Sequence, residues 1–297
     1  MERTDRHAIP LGLFTHTVFI CAVPIFLMLS GANLLQQDMT YRNFFRRRFM
    51  RVGIPFLFWS LFYWLLMHPT IGIKKFWILL LQGQMNPHMW FFIPLFCIYF
   101  SMPFVRIFIK NATRHDIECY LLFSLALTSF MPFLYGSLEW YFPGYIFPLA
   151  NQYLFMAVAG YYLNTYDIKW SSKTVLCIYG AAALFHFGYL FVKTQVLGHS
   201  DELILHYETP TIVIMSACIF VLFSRMTFQP SEIGVRRIEK VAGCSLGVYL
   251  VHNIFITYIP VYAPILKNCY WDFVVVYTAS LLITMLIKKI PLLRKCV

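Results

Sequence analysis

The sequence predicts an all-α integral membrane protein, a polytopic helical bundle of about nine transmembrane helices. Three observations predict it. The 297-residue chain is 60% hydrophobic and 19% aromatic, and only 12% of it is charged, where a soluble domain carries about a quarter. Its mean hydropathy is +0.66. Its apolar residues fall into runs near the length of about 20 residues that spans a hydrocarbon core, with most charged residues between the runs.

The runs follow in order. The first is 17–36, where Ser30, Gly31 and Asn33 form a small polar notch that suits close helix packing. The second, 52–67, is short for a span unless it tilts or begins inside the arginine cluster before it. Segment 75–87 is apolar but carries Gln82, Gly83, Gln84, Asn86 and Pro87, so it is expected to be interfacial or re-entrant. The remaining spans are 89–109, 117–135, 148–164, 174–196, 209–227, 243–265 and 271–290. No repeat or long linker divides the chain, which reads as one domain over 1–297.

Charge supplies the orientation. The net charge is +11. In a soluble protein that would suggest nucleic acid, but no nucleic-acid-binding motif is present. The basic residues lie between apolar runs, so anionic lipid and phosphate-bearing ligands are the expected partners. Placing 37–51 in the cytoplasm and alternating from there puts 18 of the 24 lysines and arginines inside and 6 outside. The N-terminus then falls outside, although residues 1–13 are too short and polar to span. The eight cysteines include no CxxC pair, and no HExxH or close Cys/His set is present, so neither a disulfide framework nor a metal cofactor is expected.

Arg46, Arg47, Arg48 and Arg51 sit just before the second span. They serve as a topology determinant and an attraction to anionic lipid. A second reading uses spacing. Arg48 and Arg51 are three apart, so on an α-helix they share a face, and two guanidinium forks suit a phosphate or pyrophosphate. A phosphate site at the cytoplasmic membrane surface suggests a nucleotide-tailed donor such as acyl-CoA.

VPIFLMLSGANLL followed by RNFFRRRFMRVGIPFLFWSLFYWLL resembles the membrane acyltransferase-3 family, which acylates cell-surface polysaccharides. HMWFFIPLFCIYFSMPFV (88–105) is similar to the family's His-x-Trp-Phe helix, YLFMAVAGYYL (153–163) to its "lGyyl" helix, and SLGVYLVHNIFI (245–256) to its late "YLiH" helix. The resemblance runs in order over 17–265. It implies a bundle of usually ten spans in the cytoplasmic (inner) membrane of a bacterium. It also implies transfer of an acyl group, usually acetyl, from acyl-CoA on the cytoplasmic side to a sugar hydroxyl of a polysaccharide or lipid-linked glycan. Arg48 and Arg51 match its donor-associated arginine pair.

Acyl transfer to a hydroxyl needs a base, a role that suits histidine, and a group to stabilise the carbonyl oxygen. His252 lies mid-span with Tyr249 one turn back and Asn253 beside it. Either it is a core histidine satisfied by a backbone carbonyl, or it works with Tyr249 in catalysis. His88 and Trp90 stand at the outer end of a span, where they are an aromatic belt or a contact to the acceptor sugar. His186 and Lys193 match no family motif and read as lining or core polar groups. Gly243-Cys244-Ser245-Leu246-Gly247 fits G-x-S-x-G, but it enters a helix rather than a strand–turn–helix, so Ser245 is not a nucleophile.

One family feature is missing from the pattern. The resemblance implies an earlier first helix with an arginine, ten residues and then a histidine that acts as base. Here Arg6 and His16 have nine residues between them. The sequence reads as lacking that helix, which leaves three functional expectations open: the O-acyltransferase, an inactive homologue acting as a partner, and an exporter of polysaccharide or lipid-linked sugar.

Overall fold

The computed structural model describes residues 8–67, 70, 72–140, 151–197, 202–227, 230–262 and 269–297, apart from the side chains of 8–11, 202, 259–262 and 269–272. Among the described residues there are helices and no strands. The helices are α1 (Ala8–Phe19), α2 (Ala22–Leu34), α3 (Tyr41–Arg48), α4 (Ile54–Met67), α5 (Ile73–Gln82), α6 (Phe92–Asn111), α7 (Arg114–Leu125), α8 (Met131–Ser137), α9 (Gln152–Thr165), α10 (Ser172–Leu197), α11 (Glu202–Leu205), α12 (Pro210–Ser224), α13 (Glu232–Ala242), α14 (Ser245–Tyr262) and α15 (Cys269–Lys289). Wider π turns at Phe49–Gly53 and Ala126–Phe130 join α3 to α4 and α7 to α8, and a 3-10 turn at Pro87–Phe91 leads into α6.

Six continuous helical stretches among the described residues are long and apolar enough to cross a membrane: 12–34, 41–67, 87–111, 114–137, 172–197 and 203–224. The pair 232–242 and 245–258 passes the same test only when its halves are taken together, and it is bent by 52° between them, as a broken span or a re-entrant loop is. The bundle is therefore all-α and polytopic. The second span begins at Tyr41, ahead of the arginine cluster, so the continuous helical stretch takes in all four arginines. The first starts earlier than hydropathy suggested, because α1 and α2 run together with only a brief interruption at Ile20 and Cys21. The fifth expected span is represented by α9, of 14 residues, with 141–150 outside the described residues. The ninth is α15. The α5 helix has 10 residues, a rise of about 15 Å, or half a hydrocarbon core.

The chain forms two compact units, one of 1–38 with 100–227 and one of 39–99 with 228–297. In the first, α2 packs most closely against α9. A Cβ added at Gly31 would run into the Ala157 backbone, and one at Gly160 into the Met28 backbone. Two reciprocal glycines thus let the helix backbones touch. The other polar groups of the notch bond within α2: Ser30 Oγ donates to the Phe26 carbonyl at 2.9 Å and Asn33 Nδ2 to that of Leu29 at 2.8 Å. Buried Arg106 donates to the Leu34 carbonyl at 3.1 Å, placing a cation on the C-terminal end of α2.

In the second unit, α14 packs along α15, where Gly247 leaves room for Thr284. Trp59 Nε1 on α4 donates to the Cys296 carbonyl at 2.8 Å, and the fully buried Tyr63 hydroxyl donates to the Leu250 carbonyl at 2.7 Å. Gly83 ends α5 in the left-handed region (φ 64°) and turns the chain towards Asn86 and His88.

Candidate active site

The second unit gathers the histidines that the sequence singled out. His88 stands on the 3-10 turn and His252 on α14. Their ring centroids are 5.1 Å apart and nearly perpendicular, at 74°. Tyr249 packs on both, at 5.4 Å from His88 and 5.7 Å from His252, and Tyr63 meets His88 from α4 at 5.4 Å. Both histidines are half-buried.

Tyr249 holds both imidazole-bearing segments. Its hydroxyl donates to the His88 backbone carbonyl. Its own carbonyl lies 2.6 Å from His252 Nδ1. A carbonyl only accepts, so Nδ1 carries the proton and neutral His252 presents a lone pair at Nε2. The bond to a backbone carbonyl and the availability of a basic nitrogen therefore coexist in one residue. Trp90, two residues beyond His88, packs edge-on against Phe91 at 5.8 Å.

Arg48 and Arg51 lie in the same unit. The π turn begins immediately after Arg48 and contains Arg51, so the angle between them is wider than the shared α-helical face expected from their spacing. Arg48 is half-buried and Arg51 exposed. The Arg48 guanidinium lies 5.7 Å from the centroids of both the Phe44 and Tyr99 rings, and its Nε is buried without a hydrogen-bond partner.

One group escaped the sequence reading, and another falls on the core side of its two readings. Asn86, taken only as a polar interruption, is 2% exposed and binds His88 directly, its Oδ1 lying 2.7 Å from His88 Nδ1. In the first unit, His186 is fully buried, with Nδ1 2.9 Å from Thr211 Oγ1 and Nε2 without a partner. His16 lies on α1 and is half-buried. Arg6 lies outside the described residues. Ser245 Oγ donates to the Ala242 carbonyl at 2.8 Å at the start of α14, a helix-end contact in place of a nucleophile elbow. Among the described residues no three His, Cys, Asp or Glu side chains group to hold a metal ion.

A family described as an acyltransferase domain matches residues 4–288, nearly the whole chain. The chain belongs to the acyltransferase-3 family. No curated protein and no solved structure matches it. The match crosses both compact units and every candidate residue above, so the acyltransferase-3 domain includes the histidine cluster and the arginine pair alike. With its apolar helices, this makes the protein an integral membrane protein of the acyltransferase class.

Proposed function

We propose that this acyltransferase moves an acyl group, acetyl in the simplest case, from acyl-CoA to a sugar hydroxyl of a surface polysaccharide or lipid-linked glycan, in the cytoplasmic membrane of a bacterium. The observation that carries the proposal is the 2.6 Å contact between His252 Nδ1 and the Tyr249 carbonyl. With Nδ1 committed to the Tyr249 carbonyl, Nε2 is free to take the acceptor's hydroxyl proton as its oxygen attacks the thioester carbonyl. The C–O bond forms, the C–S bond breaks, and the proton passes to the leaving thiolate.

Tyr249 fits this scheme as a holder of both histidines, because its hydroxyl is engaged by the His88 carbonyl. His88 and Trp90 border the acceptor, and Arg48 and Arg51 meet the donor's phosphates. Arg48 keeps an unsatisfied Nε beside two aromatic faces, which suits a guanidinium awaiting an anion. The family match favours this enzyme over an exporter.

The test is transfer of labelled acetyl from acetyl-CoA to glycan in membranes containing the full chain. Transfer lost in His252→Ala, and weakened through a higher KM for donor in the Arg48→Ala, Arg51→Ala double variant, is the expected result. Full transfer by the double variant would remove the donor assignment. No transfer by the unaltered chain would leave an inactive partner protein.

A further inference from the structure

The carboxamide of Asn86 is the hub of three hydrogen-bond contacts. Its Oδ1 receives Nδ2 of Asn253 at 2.6 Å and faces Nδ1 of His88 at 2.7 Å. Its Nδ2 points at the thioether of Met67, 3.2 Å away. Two orientations of the amide can satisfy Asn253 if that side chain turns as well. Only one suits the sulfur, which accepts a hydrogen bond and cannot donate one. Met67 therefore fixes the amide with its NH2 towards sulfur and its oxygen towards His88. That oxygen only accepts, so His88 Nδ1 carries the proton.

His88 consequently has its lone pair at Nε2, which is buried and without a partner. Leaving a buried acceptor unpaired is costly. The other tautomer would turn the same position into an N–H donor beside His252 and Tyr249. The choice between acceptor and donor at the centre of the cluster thus rests on a residue that belongs to none of the family motifs named above. Asn86 and Asn253 are 167 positions apart, so the network also ties the 3-10 turn to α14.

We infer that Asn86 is a positioning residue: through its oxygen it locks His88 as the Nδ1–H tautomer and holds the ring against His252. The consequence for catalysis rests on the acyl-transfer reading, whereas the tautomer does not. Asn86→Leu removes both polar ends of the amide at similar volume. Asn86→Asp keeps an acceptor for His88 and Asn253.

The experiment is nitrogen NMR of the full chain in lipid nanodiscs with ¹⁵N-labelled histidine, His88 being assigned by its loss in His88→Asn. A pyridine-type Nε2 at His88 in the unaltered protein and in Asn86→Asp, with a mixed tautomer in Asn86→Leu, is the expected result. Acetyl-transfer kinetics on the same samples should show kcat down by about tenfold or more in Asn86→Leu, KM for donor within about twofold, and kcat largely recovered in Asn86→Asp. An Nε2–H tautomer at His88 in the unaltered protein overturns the inference, even if Asn86→Leu does not fold. So does an Asn86→Leu protein with unchanged tautomer and kcat. If the tautomer is as inferred but the unaltered chain transfers no acetyl, the positioning stands and the acyl-transfer reading falls.

Discussion

At the scale of single residues, the proposed reaction separates chemistry from support within the cluster around His252. In that proposal His252 offers the basic nitrogen, and its neighbours supply orientation. Replacing it with glutamine retains a polar side chain but removes the base. Transfer should fall by about 10²–10⁴-fold while the protein still inserts and purifies as the parent does. A labelled-acetyl assay normalised to protein in the membrane checks this. Loss of protein in step with activity would instead show a structural role. Tyr63→Phe tests the support. The ring stays, but the bond to the Leu250 carbonyl goes, so the second unit should lose about 1 kcal/mol, read as an earlier thermal midpoint in detergent. The sequence marked His252 with Tyr249, and His88 separately, since an ionisable or hydrogen-bonding side chain in a span is costly and so conspicuous. It gave no sign of Asn86, because an asparagine before proline reads as turn chemistry. The partner that gives it meaning lies on a distant helix.

At the scale of elements, the spans were legible because lipid demands long apolar runs, and most ends fall within a few residues of expectation. What hydropathy could not show is local geometry. The π turn at Phe49–Gly53 and the 52° bend between α13 and α14 leave the composition of a segment unchanged. The α2–α9 contact lies between these extremes, since Gly31 was read as a packing residue while its partner on α9 was not identified. Gly31→Val and Gly160→Val should each cost more than about 3 kcal/mol, because the clash is with backbone that cannot turn aside. Gly180→Ala, with open space around it, should leave the thermal midpoint within error. Equal effects at all three sites would show that the close approach is not needed.

The α13 helix makes a second prediction at this scale. None of its residues is buried. At roughly 100° per residue, Val235, Ile238 and Ala242 fall on one face and Arg236 and Lys240 on the other. Ile238 is 54% exposed, an apolar surface that a protein in water would cover. Lys288 on α15 donates to the Gly243 carbonyl just beyond α13, adding charge at the same end. A helix of this kind is expected in the plane of the headgroups, with its bases towards anionic lipid. A nitroxide on Ile238→Cys in anionic nanodiscs should be reached by dissolved oxygen and shielded from an aqueous nickel reagent. One on Lys240→Cys should show the reverse. Equal aqueous access at both positions would place α13 away from the membrane.

For the whole molecule, the distribution of basic residues ties the location of the arginine pair to the orientation of every other loop. If 37–51 faces the cytoplasm, so does the connection between α9 and α10, where Arg225 braces the chain by donating to the Trp170 carbonyl at 2.7 Å and to that of Ile168. The turn before α5, with Lys74 and Lys75 just inside the helix, then faces outward. Single cysteines at exposed Ser171 and Gly72 report the two sides independently. In intact cells a membrane-impermeant maleimide should label Gly72→Cys and reach Ser171→Cys only after permeabilisation, with an otherwise cysteine-free chain as background. The opposite pattern would put Arg48 and Arg51 outside, away from any intracellular acyl-CoA. The donor assignment would then fail however well those arginines are placed to hold a phosphate. Labelling of both positions from one side would mean that the number of crossings between them is even, and the spans between Gly72 and α10 would have to be recounted.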